Sequence, residues 1–593
     1  MFDLIFSTDR RAQTKNYFAL KTCHTNPNSN AIHYVGEWGC LSVIGDAYPG
    51  FSPYEDHQHI IIVLGGPLPR QADLIIDESD NHQGSQWILN QWIIKNELNW
   101  EDDLIGHFAV IYINKITNKL KAVTDINSFV PLFTTKTDNK DLLISSHPDV
   151  LAVAAGKLHD LDLVSIGDFI KYRAVTFPYT FYNGITQLDY ATVFSLEKNH
   201  LKSKPYWQPG SDELFHGFKA SAQYLLETLT GNIRCICANQ KAVGLLMSGG
   251  EDSRVVGSIA SKQTKTYGFT ITDSINRETQ LAERVAKKVN INWTPIIRQK
   301  DNYLTYTKSS LLLSTSINYF MHAHTNALQS NFPIKTRILG GLMADGFFKC
   351  STHSFRYRNT GKMIIKNNLR WENRKLFTRI PLPEDLDAKI EERRIFRNAQ
   401  LCQQIPDTYL EWHWLLPSSM NSSMTNLQVN RRLFPVYEPF MDSRIFRLAL
   451  TIPQDWKLNG MFFKQAMKPV LYETKYISHS DGGFPYLRPL PFDLVIKLIS
   501  KSSFKLTKLF HNLIGGEPTS RSAWPDSSEV TNSSAFSNIE KVYISDNNSD
   551  SMISSPLSLV QRLSEGKSGE KLIAYQIVSW HRWIKEVANQ SNG

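Results

Sequence analysis

The sequence predicts a two-part α/β protein, and three patterns carry that expectation. Up to about residue 210 the chain is strand-rich, with β-branched and aromatic runs closed by Gly, Asn or Asp. From about Leu214 strand and helix patterns alternate, which argues for a parallel sheet covered by helices. Within that alternating region a Gly-rich turn, Ser248-Gly249-Gly250, joins an apolar strand to a helix. The composition allows such a fold. Of 593 residues, 42% are hydrophobic and 20% charged, which excludes a disordered chain, a coiled coil and a collagen-like fibre. The net charge of +9 is too mild over this length to mark a nucleic-acid binder.

In chain order, HIIIVLGG (59–66), HFAVIYIN (107–114), KLKAVTD (119–125) and PLFTT (131–135) read as strands, the middle two as a hairpin turning over Asn114–Asn118. Between them SQWILNQWIIKNEL (85–98) has apolar residues at i, i+3, i+4 and i+7 and reads as a helix. In the alternating region the amphipathic helix SAQYLLETLTGNIRCICANQ (221–240) precedes the apolar strand AVGLLM (242–247). The helix SRVVGSIAS, the strand TYGFTIT (266–272) and the helix RETQLAERVAKKV (277–289) follow the turn. Beyond Lys349 the chain reads as mostly helical, closing on the amphipathic helix EKLIAYQIVSWHRWIKEVA (570–588). The Ser-, Asn- and Asp-rich stretch 515–555 buries too little to order itself and is expected to be a flexible insertion. The division expected is 1–210 and 211–593.

Six cysteines are too few for a disulfide scaffold, and Cys235 and Cys237 read as small apolar residues at a packed helix end. MFDLIFSTDRR lacks the features of a secretory signal, and no run of about 18 apolar residues occurs, so a cytoplasmic protein with no membrane partner is expected.

The sharpest local signal is Ser248-Gly249-Gly250-Glu251-Asp252-Ser253. Two glycines let the backbone turn tightly, so that N–H groups converge on an anion. The helix that follows presents its N-terminal donors to the same point. Ser248 and Ser253 can donate to phosphate oxygens. Asp252 repels a bare phosphate and makes sense as a ligand to Mg²⁺ bridging it to the phosphates. The plain structural alternative is an ordinary βα turn capped by Asp252. Neither a Walker loop nor a GxGxxG turn occurs here.

SGGEDS resembles the pyrophosphate loop of the asparagine synthetase family, ATP pyrophosphatases that activate a carboxylate as an acyl-adenylate. GHFAVIYINKITNKLKAVTDINSFVPLF is similar to the family's N-terminal glutaminase pattern, and Tyr206-Trp207 falls where that domain hands over to the synthetase domain. ILGGLMADGFFK (338–349) resembles the second ATP motif, EPFMDSRIFRLALTIP (438–453) the Pro-Phe-Leu-Asp stretch, and FFKQAM (462–467) the Lys-x-x-x-Arg helix. The resemblance implies an Ntn-type glutaminase-like αββα domain followed by a parallel-sheet ATP-pyrophosphatase (adenine nucleotide α-hydrolase-like) domain. It implies that Leu246 and Ile271 flank the adenine of ATP and that Ser248, Gly249, Gly250, Asp252 and Ser253 hold the pyrophosphate. It also implies that Gly340 and Gly341 line the nucleotide, and that Asp252 and Asp345 share Mg²⁺.

Three departures qualify the resemblance. Glutaminases of the family use Cys at position 2 with its own α-amine as base; here the residue is Phe2, and VLGGPL (63–68) lacks the oxyanion Asn. The expectation is no hydrolysis of glutamine. Leu342 stands where the family places a Glu or Tyr that helps deprotonate the attacking amine. In TKYISHSDGGFP (474–485), His479 and Asp481 fall at the family's Arg and Lys positions, and a one-residue slip brings Lys475 in instead. Lys464, His479 and Glu438 remain as candidate catalytic groups, and Glu278 opens the helix after the second strand.

Three function classes follow. The first is an AMP-forming amide ligase joining a small-molecule or peptide carboxylate to an amine that its own glutamine hydrolysis does not supply, with ammonia-dependent asparagine formation left open. The second is a nucleotide-binding partner or sensor without catalysis. The third is a polyanion-binding module using the basic segment 355–379, which could also serve as a rim for an acidic substrate. A homodimer is left open.

Overall fold

The computed structural model describes residues 2–349, 382–479, 524, 526–546 and 564–591, apart from 27–28, 47, 71–75, 198, 213–216, 333–335 and 458–459. Two six-stranded antiparallel sheets fill the N-terminal portion. One runs edge to edge through Thr186–Gln187, Phe133–Lys136, Leu142–Ser145, Asp3–Ser7, Gly39–Ile44 and Ala31–Gly36. The other runs through His200–Pro205, Thr192–Glu197, Lys119–Thr124, Phe108–Asn114, His59–Gly65 and Tyr54–Glu55. The period-2 alternation of a strand sorts the side chains. Leu4 and Phe6 face the second sheet in one core with Ile62 and Val110. Ile5 points the other way, into a core shared with the helices Gln13–Cys23 and Pro148–Ala155.

The helix expected over 85–98 runs from Gln83 to Ile94, and its last turn is π-helical. It stops there because Asn96 turns left-handed (φ 57°) and the Glu97 N–H bonds back to the Gln91 carbonyl at 2.9 Å.

The C-terminal portion is built on a five-stranded sheet in which every pairing is parallel. Its order is Asn292–Ile297, Lys265–Thr272, Ala242–Leu246, Ile338–Leu339, Val436–Tyr437. The chain builds outward from Ala242–Leu246, first to one side and then to the other. The carboxyl ends of Ala242–Leu246 and Ile338–Leu339 therefore meet at a topological switch point, where open α/β sheets form their binding crevice. Val436–Tyr437 is two residues long, too short for any periodicity to announce it.

The Ser-rich stretch corrects an expectation. Of 515–555, the described residues include two helices, Ser527–Thr531 and Ser534–Asp546. Phe536 is buried and meets the Tyr575 ring at 5.9 Å, and Glu540 pairs with Lys571 at 2.8 Å, both on the closing helix Ser568–Ser591. Polar composition hid a few apolar residues at helical spacing, Val530, Phe536 and Ile539, which order these helices against a partner.

Polar contacts weld the two portions together. Arg432 grips Asp3 at 2.8 and 2.9 Å, Arg70 reaches Asp442 at 2.5 Å, and Arg337 reaches Glu78 at 2.6 Å. Asp442 also caps the helix Ser443–Thr451, accepting from Arg444 N at 3.0 Å, so the acid of the EPFMD stretch has a structural duty. Among the described residues no helix is long and apolar enough to cross a membrane.

Candidate active site

Two loops meet at the switch point. The first leaves Ala242–Leu246 and enters the helix Glu251–Ala260 through Gly250. Ser248 and Ser253 brace it: Ser248 N donates to Ser253 Oγ at 3.0 Å, the two hydroxyls lie 3.1 Å apart, and Gly250 N donates to Ser248 Oγ at 3.1 Å. Gly249 passes so close to the next helix that a Cβ there would sit 3.3 Å from the Glu278 carbonyl oxygen. Glu278 thus borders the loop with its backbone, at the capped start of Arg277–Lys288.

The second loop leaves Ile338–Leu339 and enters the short helix Ala344–Phe348 through Met343, held left-handed at φ 71°. A Cβ on Gly341 would lie 3.0 Å from Ser253 N, so about ninety residues of sequence separation close to van der Waals contact. A Cβ on Gly340 would lie 2.1 Å from Glu438 Oε1. Only glycine fits there, because a carboxylate occupies the space. Leu246 and Ile271, expected beside the adenine, share one small apolar cluster with Phe332 at the adjacent strand ends.

Asp252 and Asp345 converge, and a third residue shows how closely. Lys349 Nζ lies 2.5 Å from Asp252 Oδ1, 2.8 Å from Asp345 Oδ1 and 3.4 Å from Glu251 Oε2. One cation already sits between the two carboxylates expected to share Mg²⁺. The donor set thus fits a bridging hard cation: oxygen ligands, two negative charges, one position within reach of both. Burial works against the charge on Lys349, but Asp252, Asp345 and Glu251 outweigh it and hold the amine protonated well above its ordinary range. Burial raises Asp252, against Lys349 and with help from Asp345 and Glu251. Both shifts describe a cluster short of positive charge.

Glu251, given no role in the sequence reading, is central to this cluster. It is buried, and its Oε1 lies 2.8 Å from His479 Nε2. Burial pushes its carboxyl up, but His479, Lys349 and Lys464 prevail and hold it far below the usual carboxylate range. His479 thus touches Glu251, and Lys464, on the helix Met461–Leu471, stands near enough for its charge to favour the ionised carboxylate. Arg254 secures the same corner: it is fully buried and donates to the carbonyls of Ile477 (2.8 Å), Ser478 (3.1 Å) and Gly249 (3.2 Å), tying the loop to the segment that carries His479. The alternative placing of Lys475 in the site is not what the structure has. Its amine lies 3.6 Å from the Tyr472 ring centre and 5.1 Å from that of Tyr476, two exposed side chains on the outer surface.

Glu438 lies under the second loop. Its Oε2 accepts from Leu342 N at 2.8 Å, and burial, only partly offset by that N–H, pushes its carboxyl up to about 8. Leu342 therefore takes part through its backbone amide. Asp481 and the basic segment 355–379 lie outside the described residues. Sequence reading missed Glu251, Arg254 and Lys349. Only Lys349 left a signal, its i, i+4 spacing from Asp345 on a helix.

An antiparallel double-sheet portion joined to a parallel sheet with a Gly-Gly turn at its switch point defines a two-part α/β protein. The asparagine synthase family matches residues 225–477, and the glutamine amidotransferase domain family matches residues 89–207. Over these residues the chain is similar to the asparagine synthase and glutamine amidotransferase families. It is 24% identical over 218 residues to "Asparagine synthetase [glutamine-hydrolyzing] 2" of Bacillus subtilis (strain 168), a stretch covering 34% of this chain and only 29% of that relative. Among solved structures, the allosteric regulatory enzyme of purine biosynthesis is similar at 8% identity and TM-score 0.25, over 50% of this chain and 80% of that one. Glutamine phosphoribosylpyrophosphate amidotransferase from B. subtilis is similar at 6% identity and TM-score 0.23, over 50% and 90%. Likenesses this remote add nothing to the family matches.

Proposed function

We propose that the protein is an ATP-dependent ligase that adenylates a carboxylate and passes the acyl group to an amine, releasing AMP and pyrophosphate. One observation carries this reading: the SGGEDS loop at a switch point, with Asp345 brought to the same cation as Asp252. Asp252 and Asp345 would hold Mg²⁺, which neutralises phosphate charge when bound. The loop's Ser248 and Ser253 are positioned to bind the pyrophosphate, and Gly340 and Gly341 leave room for the nucleotide between the loops. Glu438 holds a proton at neutral pH in a buried position beside Leu342 N, and is the group here best poised to move one. The acid and the amine are small molecules or peptides.

The reading includes no glutamine hydrolysis by this chain. It is supported at the head of the strand Asp3–Ser7, where the phenyl ring of Phe2 is buried in the core. A nucleophile with a free amine beside it has no place in that packing.

Pyrophosphate–ATP isotope exchange with Mg²⁺, across a panel of carboxylic acids, tests the adenylation; glutamate release from glutamine tests the absence of glutaminase activity. A second reading, nucleotide binding without catalysis, is favoured by Leu342, whose side chain packs on the core where an amine-activating group is expected. ATP binding with no exchange over the whole panel would establish it.

A further inference from the structure

We propose that Lys349 is a built-in surrogate for the metal, holding the seat between Asp252 and Asp345 so that a divalent cation enters only together with the nucleotide. This rests on the reading that magnesium and nucleotide bind at this loop. The ammonium is held by carboxylates on one side and an aromatic ring on the other. Its Nζ touches Asp252 Oδ1 and Asp345 Oδ1, the oxygens a bridging metal needs, and a third carboxylate, Glu251, stands 3.4 Å away. The Phe463 ring closes the other side at 4.5 Å from Nζ, and the stem packs over Gly460, where a Cβ would meet Lys349 Cγ at 3.4 Å.

A divalent ion binds carboxylate oxygen at about 2.0–2.1 Å, so it and the ammonium cannot share this seat. Displaced without a substitute partner, the lysine charge is left uncompensated in a largely buried pocket, which is strongly unfavourable. A triphosphate changes the balance. Its oxygens offer the released ammonium a new set of acceptors in the same crevice, so metal and nucleotide enter as one unit. Asp345 sits on the open side of the seat, its side chain 60% exposed, whereas Glu251 is turned inward against His479; release towards the crevice is the open direction.

Mn²⁺ serves as the probe, read by the loss of its free electron-paramagnetic-resonance signal on titration into the full-length protein. Without nucleotide, wild type is expected to bind Mn²⁺ at least about tenfold more weakly than Lys349→Met or Lys349→Gln, which empty the seat of charge, while Lys349→Arg behaves as wild type. Equal Mn²⁺ affinity in wild type and the two neutral variants overturns the proposal. Should both neutral variants fail to fold, wild type alone decides it: Mg²⁺ is expected to leave the melting midpoint unchanged unless a non-hydrolysable ATP analogue is present, and a rise with Mg²⁺ alone overturns the idea. Failure of nucleotide to bind at any metal concentration sinks the ligase reading instead, and leaves the comparison of Mn²⁺ affinities to stand or fall by itself.

Discussion

Buried charge is used differently in two regions of this molecule. At the head of the first strand, Asp3 meets one guanidinium at two points and also accepts from Ser146 Oγ at 2.7 Å. Burial opposes its ionisation, but Arg432 overcomes it and holds the carboxyl far below the usual range. There the carboxylate is gripped on both oxygens by Arg432, and the result is a weld between the two portions of the chain. At the switch point, three carboxylates crowd one lysine, and the one at its edge is largely exposed. A balanced buried pair is a structural device, whereas an unbalanced cluster facing a crevice is prepared to receive a ligand.

Gly340→Ala strikes hardest at the unbalanced region, because its Cβ would lie 2.1 Å from the Glu438 carboxylate. Pyrophosphate–ATP exchange is expected to fall by about a hundredfold or more, with loss of stability from overpacking. Near-normal exchange would mean that the second loop does not line the nucleotide.

Arg432→Ala tests the balanced region. It strands the Asp3 charge and is expected to destabilise the protein by about 3–5 kcal/mol in urea unfolding. A cost below about 1 kcal/mol would erase the contrast between the two regions.

Phe2→Cys is expected to cost about 2 kcal/mol through the void it leaves, and to release no glutamate from glutamine. Measurable glutaminase activity in this variant would show that Phe2 alone closes that site.

Glu438→Gln gives a pH signature. Wild type retains a proton on Glu438 in the folded state up to about pH 8, while the unfolded side chain loses it near its ordinary value. That contribution is complete below the ordinary value and is lost as pH rises through about 8. The melting midpoint of wild type should therefore decline more between pH 6 and pH 9 than that of the Gln variant, by an amount equivalent to about 3 kcal/mol. Parallel curves would show that Glu438 is ionised throughout.

Arg10→Ala removes a surface pair with Glu37 and is expected to change stability by less than about 0.5 kcal/mol, a reference for charge without burial.

Local pattern reaches far in this chain. The alternation from Ala242 to Lys288 is legible because each parallel strand is an apolar run and each covering helix carries a 3.6-residue stripe. SGGEDS is legible because its residues act within six positions of backbone. The helices at 526–546 escape a reading by composition because their order depends on Tyr575 and Lys571, far along the chain.

Sequence suffices for whatever a short segment decides alone: the strand-rich and alternating halves, the glycine turn, the acids at 252 and 345. Tertiary structure decided which charges share a space. The Glu251–His479 contact, the Arg254 tether and the reach of Glu438 to Leu342 join residues some 95 to 230 positions apart. No periodicity records such pairs, because their energy arises only when the fold removes water from around both partners at once.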